Sequence, residues 1–68
     1  MSRDEIIRAL EANVDRAVRI TYVDGEALSV TVINLDGEGF VHTVEGEFFW
    51  ATFEDVSEVE LEGKSPPT

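Results

Sequence analysis

The chain has 68 residues, a formal net charge of −10 and no cysteine. So short a chain forms one domain near the lower limit at which an apolar core alone holds a fold, and the lack of thiols removes disulfides, thiolate nucleophiles and zinc-finger geometry together. Nucleic-acid binding needs phosphate-neutralising Lys and Arg, and the strand-forming part of the chain has almost none, so nucleic acid is not expected as a partner.

Ser2-Arg3-Asp4-Glu5 matches the capping box that opens a helix. Ile6, Ile7, Leu10 and Val14 follow at spacings that place them on one helical stripe, so an N-terminal helix is expected at about 2–13, with Asn13 as its stop. Val18, Ile20 and Tyr22 then alternate with Arg19, Thr21 and Val23 in a first strand that ends at Asp24-Gly25. Leu28, Val30 and Val32 make a second, and Ile33 and Leu35 take the opposite parity, which predicts either a bulge near Asn34 or cover on both faces. A third strand runs from Phe40 to Val44 and a fourth from Phe48 to Phe53. Glu54 to Ser57 reads as a single helical turn before a short last strand at Val59 and Leu61. The turns between strands carry Asp24-Gly25-Glu26, Asp36-Gly37-Glu38-Gly39 and Glu45-Gly46-Glu47, whose glycines supply the positive φ of tight hairpins.

The expected fold class is therefore mainly β with one N-terminal helix, a small five-stranded SH3-like antiparallel barrel over residues 1–62 as a single domain, with 63–68 as a disordered tail. An α+β roll, with the helix packed on an open sheet, is the competing layout. The helix, Val18-x-Ile20-x-Tyr22-x-Asp24-Gly25, Gly39-Phe40 and Trp50-x-x-Phe53-x-x-Val56-x-x-Val59-x-Leu61 together resemble the Sm-like barrel, and the layout is similar also to the small barrel of WYL domains. The resemblance spans about residues 3–62 and implies subunits that pair through their edge strands. Asn34 and Asp36 fall in the loop that carries RNA-contacting residues in the Sm family, but Glu54-Asp55 stands where that family has an Arg-Gly pair.

Residues 1–19 balance Arg3, Arg8, Arg16 and Arg19 against Asp4, Glu5, Glu11 and Asp15, whereas from residue 20 onward 11 acidic side chains face Lys64 alone. Such a surface suits a basic protein partner or a cation, and it also keeps a small β-protein soluble with its edges unpaired. No positively charged start leads into an apolar stretch, and no run approaches the ~20 apolar residues a bilayer requires, so a cytoplasmic protein with no membrane partner is expected.

Chemistry-bearing residues are sparse. His42 is the single histidine, and with no cysteine or second histidine beside it a zinc site or catalytic base lacks partners; a carboxylate lying across from it would raise its pKa. Glu58, Glu60 and Glu62 would line one face of an extended strand and attract divalent cations weakly, without the alternating turn ligands of a selective site. No nucleophile elbow, Walker pattern or dinucleotide fingerprint occurs, so no catalytic residue, metal ligand or cofactor is assigned. Phe48-Phe49-Trp50 stands out, because neighbours on a strand face opposite ways and at least one large ring must be covered by the helix or by a partner. The expected function is a non-catalytic interaction module that pairs with itself or another protein through this strand, with Phe49 and Trp50 as contacts and Tyr22 and Phe40 as supports. A small-ligand or divalent-cation sensor is the alternative, and Sm-like RNA binding comes third, against the charge.

Overall fold

The computed structural model describes residues 1–61; the expected tail at 63–68 lies outside them. Helix α1 spans Arg3–Glu11, and five strands follow: β1 Ala17–Tyr22, β2 Ala27–Leu35, β3 Gly39–Val44, β4 Glu47–Thr52 and β5 Val56–Leu61, with one 3-10 turn at Phe53–Asp55 between the last two. All pairings are antiparallel, and the sheet order is β4-β3-β2-β1-β5.

Helix α1 starts as its sequence dictates. Ser2 Oγ accepts from the Glu5 N–H and a Glu5 carboxylate oxygen accepts from the Ser2 N–H, so the reciprocal cap is complete. The Ser2 backbone N–H is the largest cause holding the Glu5 carboxyl below its ordinary value of 4.5, with the chain's amino group, the Ser2 hydroxyl and Arg8 adding to it against an opposing effect of burial. The helix stops at Glu11, two residues earlier than the apolar spacing predicts. Asn13 is nonetheless buried, with its side-chain amide donating to the Ala9 carbonyl at 2.7 Å, and Asp15 at φ 68° turns the chain into β1.

Two of the three hairpin turns use backbone that favours glycine. Glu45 and Gly46 both have positive φ, 53° and 87°, the two-residue geometry whose twist matches the flanking strands, and Gly25 sits at 96°. The third turn differs from expectation, since neither Gly37 nor Gly39 has positive φ. Asp36 shapes it instead, one carboxylate oxygen accepting from the N–H groups of Glu38 and Gly39 at 2.7 and 2.8 Å. These two bonds pull the Asp36 carboxyl below its ordinary 3.8. Gly39 is needed for a different reason: a Cβ there would strike the carbonyl oxygen of Ala51 on β4 and come within 2.8 Å of the Trp50 ring.

The parity change in β2 is a bulge. Val32 pairs with His42 and Asn34 with Val41, leaving Ile33 as the extra residue. A second irregularity lies in β5, where Thr21 pairs with Glu58 but Tyr22 with Val56, and the skipped Ser57 donates its hydroxyl to the Thr21 carbonyl.

The edges β4 and β5 are not hydrogen-bonded to each other, so the sheet is open and the closed barrel expected from the strand count is not formed by pairing. It is nevertheless rolled. Five flat strands would separate the outermost pair by about 19 Å, whereas the four peptide steps from Thr52 to Val56 reach about 14 Å at full stretch and less through a 3-10 turn. The concave side of this roll holds the core. Strands β1 and β2 contribute Val18, Ile20, Val30 and Val32, β3 contributes Phe40, and the 3-10 turn and β5 add Phe53, Val56 and Val59. Ile6 and Leu10 of α1 cover it from the side of β5, the 3-10 turn and β2, each such side chain adding about 1.5–3 kcal/mol by leaving water.

Candidate functional site: an aromatic edge strand beside an acid-rimmed pocket

Among the described residues β4 pairs with β3 on one side only, so its other side presents backbone N–H and C=O groups that no described strand pairs. Phe49 lies directly across from His42 and Ala51 from Phe40, which places Phe49 on the concave face and Phe48 and Trp50 on the convex one. None of the three is fully covered: Phe48 is 69%, Phe49 47% and Trp50 50% exposed. Helix α1 does not provide the shelter that Ile6, Ile7 and Leu10 could have given them, because its main contacts are with the far edge of the sheet. The flanking Glu47 is a weak guard for such an edge, whereas β5 bears Glu58 and Glu60.

The other two residues expected at an interface are placed differently. Phe40 has no exposed surface and cannot touch a partner; it supports the strand from beneath, its ring 4.9 Å from that of His42 and stacked at 6.1 Å on Phe53. Tyr22 is part-buried at the end of β1, where its hydroxyl makes a long 3.4 Å contact with His42 Nε2.

A pocket of about 450 Å³ opens on this concave side. Phe49 to Ala51 form one wall, Tyr22 to Asp24 the facing one, and His42, Leu28 and Val44 close the base. Asp55 joins because the Val23 N–H donates to its carbonyl at 2.9 Å, which pins the 3-10 turn beside the β1–β2 hairpin. Asp24, Glu26 and Asp55 thus meet around one opening. Their combined charge reaches Tyr22, whose phenol is pushed above its ordinary 10.0 first by burial and then by Glu26, Asp55 and Asp24.

His42 is 3% exposed and faces no carboxylate across the sheet; its cross-strand neighbours are Val32 and Phe49. Burial therefore pushes its pKa below 6.5, against a smaller opposing contact with the Phe40 backbone, and Nδ1 has no hydrogen-bond partner within range. A neutral ring at the base of the pocket is the consequence. No group of three or more metal-ligating side chains occurs among the described residues, so the exposed Glu58 and Glu60 do not converge with others on a cation. No described helix is long and apolar enough to cross a membrane. The pocket itself was not legible in the sequence; the clustering of acids at Asp24, Glu26 and Asp55 was the available signal, but their separation along the chain hid it.

No family model matches this chain, and no curated protein or solved structure matches it either.

Proposed function

We propose that this protein is a non-catalytic docking module, a rolled five-stranded sheet of the small SH3-like, Sm-type barrel class that associates with a second copy or another protein through the β4 edge. The observation that carries this reading is the exposure of three consecutive aromatic side chains on a strand whose outer hydrogen-bonding side no other described strand pairs. Large rings are costly to leave in water, and Trp, Tyr and Phe dominate the energetic centres of protein interfaces. Adding a strand from a neighbour would satisfy the β4 backbone groups and cover Phe48 and Trp50 on one face and Phe49 on the other. Phe49 and Trp50 are the principal contacts, with Tyr22 flanking them and Phe40 holding β3 rigid below. The acidic surface disfavours nucleic acid and steers basic partners.

Light scattering on a size-exclusion column tests the self-association arm. A mass above one chain at micromolar concentration, reduced to one chain by Phe48→Glu or Trp50→Glu, is expected. A monomer at every concentration, with Trp50 fluorescence blue-shifted and protected from quenchers, refutes it.

A further inference from the structure

The pocket differs in chemistry from the outer face of β4. It combines the face of an exposed aromatic ring, Phe49, a phenol, Tyr22, and three carboxylate side chains, Asp24, Glu26 and Asp55, around an opening large enough for one side chain. The one ion pair among the described residues joins Arg3 to Glu54, so none of these three carboxylates is matched by a described basic side chain. Asp24, an exposed residue, spends one oxygen on the Glu26 N–H at 2.9 Å, which fixes the turn. At the base, His42 is buried and uncharged at neutral pH, so no cation already occupies the place.

We infer that this pocket receives the guanidinium of an arginine side chain from a basic partner protein, stacked on Phe49 and hydrogen-bonded to the carboxylates of Glu26 and Asp55. The inference rests on the docking reading and names the contact that the partner supplies. An aromatic face attracts a cation through its quadrupole, and the attraction grows as the cation sheds water in a recess. A guanidinium is planar, weakly hydrated and carries five donors in a fork, so it can lie flat on a ring while its edge reaches two acids; a compact, strongly hydrated ammonium combines the two less well. The carboxylates stand on the hairpin turn and the 3-10 turn, and Phe49 on the edge strand, so an occupant would span the two walls of the pocket.

The test uses the full chain, isotope-labelled for NMR, titrated with N-acetyl-L-arginine methylamide, with the uncharged citrulline analogue, with the lysine analogue and with sodium chloride of matched ionic strength. Saturable shifts confined to residues 22–28, 42–44, 49–51 and 55 are expected for arginine, with citrulline at least about tenfold weaker and lysine several-fold weaker. The double variant Glu26→Gln/Asp55→Asn, both exposed positions, should weaken arginine by about tenfold, and Phe49→Leu by about fivefold while keeping the fold. Shifts that merely track ionic strength, equal binding of citrulline or lysine, or acid variants that bind arginine unchanged overturn the inference. The same titration on Phe48→Glu, which lies outside the pocket, separates the two readings. A protein that self-associates but ignores arginine loses this inference alone, and a monomer that binds arginine at these residues keeps it while losing self-association.

Discussion

Replacing Gly39 by alanine tests whether β4 lies as close to β3 as the structure places it. The added Cβ would collide with the backbone carbonyl oxygen of Ala51 and crowd the Trp50 ring, and the oxygen cannot rotate away because it belongs to the strand. Forcing an extra methyl into a packed contact costs about 1–3 kcal/mol, and more where backbone must move. Against this, alanine restricts the unfolded chain and returns about 0.4–1 kcal/mol. The net loss is about 0–2.6 kcal/mol, and more where the backbone must move, out of the roughly 3–10 kcal/mol expected for a chain of this length. Gly37, two residues away, is the internal control: no atom lies within 4 Å of its Cβ position and its φ is not positive, so Gly37→Ala should be neutral or stabilising by up to about 1 kcal/mol. Urea unfolding followed by circular dichroism gives both midpoints. If Gly39→Ala and Gly37→Ala unfold at the same urea concentration, the close approach of β4 is wrong, and with it the placement of the aromatic edge.

Stability should also depend on pH through His42. Its folded pKa is depressed below 6.5, so the unfolded chain binds more protons than the folded one as pH drops below that value, and stability present above pH 6.5 is lost down to the folded pKa. Denaturation midpoints at pH 7.5 and 5.5 should differ for the native chain and differ much less in His42→Leu; Glu5 and Asp36 act only below their ordinary 4.5 and 3.8 and do not confuse this window. Leu10→Ala, at a fully buried position on the inner face of α1, should cost about 2–5 kcal/mol and leave a chain with little cooperative melting. Ser2→Ala removes half of the capping box and should cost about 1 kcal/mol in thermal melts, while Ser2→Asp should restore most of it. With a net charge of −10 on so few residues, added sodium chloride should raise the melting temperature by screening mutual repulsion.

Much of the fold was legible because its signals are local. A serine three residues before a glutamate, followed by apolar residues at helical spacing, opens α1, and the Ile33 and Leu35 parity change marks the bulge that the β2–β3 register contains. The Asp36 turn shows the limit of that reasoning. Glycines there suggested left-handed backbone, but a side-chain carboxylate can organise the same reversal, and composition does not distinguish the two. The position of α1 was equally hidden, since an apolar stripe states that a helix is covered without stating by which strands.

The capping box, the helical stripe and the strand alternation were sufficient to specify a helix, five antiparallel strands and where the chain turns between them, because period and turn chemistry act within a few residues of one another. How the sheet rolls, which ring of Phe48, Phe49 and Trp50 faces inward and which acids meet around one opening depend on contacts between distant segments. The Val23–Asp55 backbone bond and the short link from Thr52 to Val56 bring those segments together, and only in three dimensions do an aromatic wall and three carboxylates become one surface.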